Sequence, residues 1–74
     1  MKDKVIDIIS SYQGIDKENI NESSNLIKEI GLSSFDVTEL VCKFEDEFDT
    51  QIPDRKISTF QTVGDIVKFI EEQE

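Results

Sequence analysis

Few side chains in this sequence could drive a reaction. There is no His, so neither a Ser-His nor a Cys-His nucleophile pair can be assembled, and a His-based metal site is excluded. The acidic run Glu45, Asp46, Glu47 and Asp49 offers the oxygen donors that calcium prefers. It falls on a helical pattern, however, and lacks the alternating ligands and central Gly of an EF-hand loop. No Gly-rich phosphate loop is present either. What remains is Gly31-Leu32-Ser33-Ser34-Phe35-Asp36-Val37-Thr38-Glu39-Leu40, where serines open a helix and acids follow. A serine in that place sits where free backbone N–H groups and the positive end of the helix dipole favour negative charge, so a phosphoester there would be stabilised. Taken alone, Ser33 and Ser34 read equally as ordinary N-cap residues, and an isolated serine at a helix start is more often that.

The elements that must position this stretch are helical. Val5, Ile8, Ile9 and Tyr12 recur at i, i+3, i+4 and i+7, the stripe of an amphipathic helix that Gly14 ends, with Ile6 at its edge. Val37, Leu40, Val41, Phe44 and Phe48 repeat the pattern and predict a helix over 34–49, begun by Ser33 or Ser34 with Asp36 in its first turn. Between them, from Gln13 to Ser33, runs a long polar connection holding Ile15, Ile20, Leu26, Ile27, Ile30 and Leu32. So many apolar residues cannot all be solvated, and they predict a loop anchored over the bundle, with a short helical turn over 25–30 capped by Ser24. Pro53 blocks continuation through Ile52, and Asp54 caps a short helix containing Ile57 and extending toward Phe60. Thr62 and Asp65 read as a capping box for a last helix carrying Val63, Ile66, Val67 and Ile70. Gly64 sits early in that helix, either for close packing or as a residue tolerated near a helix end. The expectation is an all-α domain: a small four-helix bundle with three main helices, one short helix and a long first loop.

At 74 residues the chain fits one compact domain, 1–74, with no room for a separate catalytic unit. Seventeen Asp and Glu against eight Lys and Arg give a net charge of -9, which opposes nucleic acid and anionic lipid and favours basic protein surfaces. Cys42 is the only cysteine, so no internal disulfide forms, and a reducing cytoplasm fits. The N-terminal MKDKVIDIIS alternates charged and apolar residues, unlike a signal peptide, and no run approaches membrane-spanning length. A monomeric cytoplasmic protein without membrane insertion is expected.

The stretch around Ser34 resembles the attachment motif of acyl carrier proteins, in which a Gly, a variable residue, Asp, the modified Ser, an apolar residue, an acid and soon a Glu-Leu pair follow one another. Here Ser34, Phe35, Asp36, Glu39 and Leu40 match, while Ser33 stands where the family usually has Asp. The resemblance extends to Ile20–Leu32 as the first loop, Phe48–Pro53 as the turn after the second helix, and Thr62–Ile70 as the last helix. It implies a non-catalytic carrier with a covalent 4'-phosphopantetheine arm on Ser34, derived from coenzyme A by a separate phosphopantetheinyl transferase. Acyl cargo would ride as a thioester on the arm, not on Cys42, and be presented to acyl-processing enzymes of fatty acid or polyketide-type biosynthesis. Ser33 is the alternative acceptor, and Ser34 keeps the family's register. The resemblance also implies that Val5, Leu40, Val41, Phe44 and Ile66 part to admit an acyl chain, although all five are core in any helical protein. An acidic helical interaction module without a prosthetic group is the other reading of the same composition.

At about 100° per residue, Phe35, Glu39, Cys42, Asp46 and Asp49 lie off the core stripe of the second helix. Phe35 either stands exposed beside the arm or folds back against Leu32 or the loop. Six acids, Asp36, Glu39, Glu45, Asp46, Glu47 and Asp49, face one cation, Lys43. Exposed charges stabilise little, and such a density costs self-repulsion, so it suggests a docking surface for basic enzymes. Phe35, Asp36, Glu39 and Asp46 are its expected partner-binding residues, and Cys42 an incidental thiol.

Overall fold

Residues 2–73 are described by the computed structural model of the chain. Four α-helices follow in order: α1 (Lys2–Gln13), α2 (Ser34–Phe48), α3 (Asp54–Ile57) and α4 (Val63–Gln73), with a single 3-10 turn at Lys17–Asn19. This is the all-α bundle expected, three main helices and one short one joined through a long first loop. The periodicity of three apolar stripes produces it: α1 packs against both α2 and α4. Val5 and Ile9 from α1, Leu40 and Phe44 from α2, and Val63, Ile66 and Ile70 from α4 meet in one core. Because α1 faces two neighbours, Ile6 is buried and Ile8 lies at the rim, the reverse of the order its stripe suggests.

The long loop is held by both packing and backbone bonds. Ile20, Leu26, Ile30 and Leu32 are buried, whereas Ile27 is 49% exposed. The turn at 25–30 is not capped by Ser24. Asn25 does that work: its Oδ1 accepts from the Ile27 and Lys28 N–H groups at 3.0 and 2.8 Å, and Glu29 reaches back to the Asn25 N–H at 2.8 Å. Ser24 is buried, and its Oγ accepts from the Asn21 N–H. The loop is stitched to the start of α4 by Leu26 N–H to Gln61 C=O (2.9 Å), Val63 N–H to Ser24 C=O (3.1 Å) and Gly64 N–H to Glu22 C=O (2.8 Å). That approach decides the role of Gly64, since a Cβ there would lie 3.0 Å from the Glu22 carbonyl oxygen. Close packing, not tolerance, places Gly at this position.

Three helix ends depart slightly from expectation. α2 stops at Phe48 because Asp49 adopts a left-handed conformation (φ 51°) and turns its N–H onto the Glu45 carbonyl, a conformation Asp accepts more readily than most residues. α3 is preceded by Pro53, which leaves Asp54 inside its first turn instead of at the cap, and it ends before the buried Phe60. α4 reaches Gln73 and buries Phe69 against Phe60. The expected capping box is present: Thr62 Oγ1 accepts from the Asp65 N–H at 3.3 Å while Asp65 Oδ2 accepts from the Gln61 and Thr62 N–H groups.

Candidate functional site

The chain enters α2 through a turn fixed from two sides. Gly31 takes a positive φ of 85° that a Cβ would strain, and the Gln13 side-chain amide donates to the Ile30 and Gly31 carbonyls at 3.3 Å each. Leu32 is buried and its N–H bonds to Leu26 C=O. Ser33 is then the N-cap: its Oγ accepts from the Asp36 N–H at 3.2 Å, and Asp36 Oδ2 accepts from the Ser33 N–H at 2.9 Å. Ser33 thus does the capping for which either serine was a candidate, which leaves Ser34 free of that task.

Ser34 is the first residue of α2 and is exposed. Its hydroxyl has no hydrogen-bond partner among the described residues, and neither do the N–H groups of Ser34 and Phe35. Two unpaired donors therefore sit at the positive end of a 15-residue helix beside a free hydroxyl. This donor arrangement fits a phosphodiester, because its anionic oxygens would find both N–H groups and dipole there. An open hollow of about 490 Å³ begins at Ser34, with Ile27, Val37, Thr38, Ile57 and Phe60 in its walls.

Asp36, expected on the docking surface, is half-buried and serves two neighbours. Both carboxylate oxygens are engaged, one by the Ser33 N–H and the other by the Tyr12 hydroxyl at 2.9 Å. These bonds, the Ser33 N–H foremost, hold its carboxyl below the ordinary value. Glu45 is likewise occupied, accepting from the Ile52 N–H at 2.7 Å across the turn after α2, and Glu47 pairs with Lys4 at 2.8 Å. The acids left to the solvent on this helix and its cap are Glu39, Asp46 and Asp49. Phe35 is 69% exposed, so it does not fold back on Leu32 or the loop. Cys42 is exposed and free. Val5, Leu40, Val41, Phe44 and Ile66, the residues expected to part for cargo, are all buried in the core. No signal in the sequence marked Tyr12 or Gln13 as supports of the site; Tyr12 read only as part of a stripe.

Among the described residues no cluster of side chains could hold a metal ion, and no helix is long and apolar enough to cross a membrane. A helical bundle with an exposed serine at the mouth of its second helix has the layout of a carrier domain. The chain belongs to the family described as the phosphopantetheine attachment site, whose model matches residues 3–70. That family carries covalently attached 4'-phosphopantetheine. The fold is also similar to that of a Mycobacterium tuberculosis protein described as a candidate acyl carrier protein. The two superpose with a TM-score of 0.92 at 25% identity over 99% of this chain and 97% of the other. The protein is accordingly an acyl-carrier-type, non-catalytic domain.

Proposed function

We propose that Ser34 Oγ is the attachment point of the arm, and that the chain holds acyl intermediates for separate enzymes of fatty acid or polyketide-type biosynthesis. One observation carries this reading: an exposed, unpartnered hydroxyl on the first residue of α2, beside the unpaired N–H groups of Ser34 and Phe35. When bound, the arm supplies a terminal thiol on which cargo is held as a thioester. The rest is done by the chain. Ser34 provides the bridging oxygen, and the α2 N-terminus favours the negative charge placed there. Ser33 is the poorer acceptor, because its Oγ caps the helix and a substituent would displace the Asp36 N–H. On this reading the base that takes the Ser34 proton is supplied by a phosphopantetheinyl transferase that uses coenzyme A as donor.

Docking follows from the acids that remain outside. Phe35 offers an apolar anchor, and Glu39 and Asp46 a carboxylate rim for the Arg and Lys of partner enzymes. Asp36 belongs to this face by position but acts through Ser33 and Tyr12. On the same reading residues 1–74 are one carrier domain working in the cytoplasm, where the lone Cys42 thiol stays reduced. The test is intact mass after incubation with a broad-specificity phosphopantetheinyl transferase and coenzyme A. Wild type should gain one arm and Ser34→Ala none; a wild type that never gains mass would leave the acidic interaction module as the better description.

A further inference from the structure

Tyr12 is half-buried and borders a hollow of about 440 Å³ with Asp7, Ile8, Lys43 and Glu47, between α1 and α2. None of these residues borders the hollow at Ser34, and no hydrogen bond joins Tyr12 to Ser34 among the described residues. Asp36 links the two. It is the third residue of α2, with one carboxylate oxygen on the Tyr12 hydroxyl and the other on the Ser33 N–H, each at 2.9 Å. The bond to Asp36, with Glu39 contributing last, holds the Tyr12 hydroxyl above its ordinary 10.0. The proton it donates is therefore present throughout neutral pH.

What this joint controls is the use of two neighbouring donors, the unpaired N–H groups of Ser34 and Phe35. An ionised carboxylate in the first turn of a helix is drawn to such groups. Resting there, it would occupy the donors that a phosphate needs and repel the phosphate's charge. Asp36 cannot do so while both its oxygens are engaged elsewhere, and loss of the Tyr12 hydroxyl frees Oδ1 to turn toward them. Resting on the reading that Ser34 carries the arm, we infer that Tyr12 is a positioning residue for loading: by holding Asp36 Oδ1 it keeps the Ser34 and Phe35 N–H groups open to the incoming phosphate. In that step Ser34 Oγ bonds to the pantetheine-bearing phosphorus of coenzyme A. The bond from that phosphorus to the departing adenosine 3',5'-bisphosphate breaks, and the hydroxyl proton passes to the transferase's base. The two N–H groups meet the oxygens of that phosphorus, so the effect falls on the step itself and not on docking through Phe35, Glu39 and Asp46.

The test is the rate at which a broad-specificity phosphopantetheinyl transferase and coenzyme A load the full chain, followed by intact mass well below every thermal midpoint. Tyr12→Phe should lower kcat about tenfold, the scale of one hydrogen bond to a charged group, with KM for the chain within about twofold of wild type. Thr62→Ala, which weakens the cap of α4, should melt lower yet load at the wild-type rate. In an Asp36→Ala background Tyr12→Phe should change nothing further, because the oxygen it holds is gone. Tyr12 is the single tyrosine of the chain, so biosynthetic replacement of tyrosine by a fluorinated form whose hydroxyl ionises near neutral pH alters this group alone. Loading of that protein relative to wild type should fall as pH rises through the ionisation, a readout that stands should Tyr12→Phe not fold. A Tyr12→Phe loss that lies in KM, that is absent, that Thr62→Ala shares, or that persists undiminished without Asp36 would overturn the inference, as would a flat ratio for the fluorinated protein. A wild type that gains no arm, or gains it on Ser33, would defeat the Ser34 reading itself, a failure seen before any rates are compared.

Discussion

The Tyr12 hydroxyl donates to Asp36 Oδ1 at 2.9 Å, so the last turn of α1 is tied to the first turn of α2. The second oxygen of the same carboxylate accepts from the Ser33 N–H, which makes Asp36 the joint between the helix cap and the neighbouring helix. Lys43 Nζ, 6.0 Å from the Tyr12 centroid, covers the ring from α2. The turn that presents Ser34 is thereby fixed without any contact to the Ser34 side chain.

This joint gives a pH dependence of definite sign. The Asp36 carboxyl is held below its ordinary 3.8 by the Ser33 N–H and then the Tyr12 hydroxyl, so the folded state favours the ionised form. Its contribution is fully present above the ordinary value and fades as pH falls below 3.8 through the depressed one. Asp36→Ala should therefore lower the thermal midpoint at neutral pH, with the gap to wild type narrowing in acid; a gap independent of pH would show that the charge is not involved. Tyr12→Phe should show a smaller deficit of the same sign.

Helix caps set a second expectation. Ser33→Ala and Thr62→Ala each remove a side-chain acceptor from a helix start, which costs about 1 kcal/mol, or roughly 4 to 8 °C in a domain of this size. S33D, which restores the residue usual in the family, should keep the stability because Asp caps as well as Ser. Thermal melts followed by circular dichroism decide both.

Gly64→Ala tests the seam between the first loop and α4. Helix propensity alone would make the alanine variant more stable by about 0.4 to 1 kcal/mol. The 3.0 Å approach to the Glu22 carbonyl oxygen reverses the sign, and a loss of about 1 kcal/mol is expected from overpacking. A midpoint that rises on substitution would mean that Glu22 gives way freely.

The acids of α2 should separate into two groups. Glu45→Ala removes the acceptor of the Ile52 N–H and should lower the midpoint while leaving association with a basic partner largely intact. Glu39→Lys and Asp46→Lys should leave the midpoint unchanged or raised, since they relieve like-charge repulsion, and should slow association with the transferase in low salt. Stopped-flow association and thermal melts on the same variants supply both readouts.

Much of this was legible from residue spacing. The stripes at Val37–Phe48 and Val63–Ile70 placed two of the main helices, and Thr62 with Asp65 announced its capping box because both partners are local in sequence. The candidate hydroxyl was legible for the same reason. What could not be read depended on neighbours distant in the chain. Nothing near Asp36 in sequence reveals the Tyr12 hydroxyl 24 positions away. Glu45 looked like one more surface acid until the turn brought the Ile52 N–H to it. Gly64 was ambiguous until the Glu22 carbonyl appeared beside it. The cap of the 25–30 turn was assigned to Ser24 when Asn25, with an amide oxygen able to serve two N–H groups, was the better placed residue.

Fragmentation of the modified wild-type protein, reading which serine in the peptide spanning Gly31–Leu40 bears the added mass, tests the central claim most directly. The account predicts the arm on Ser34, with none on Ser33 and none on Cys42. An arm found on Ser33, or a peptide that stays unmodified while the transferase loads a control carrier, would contradict it.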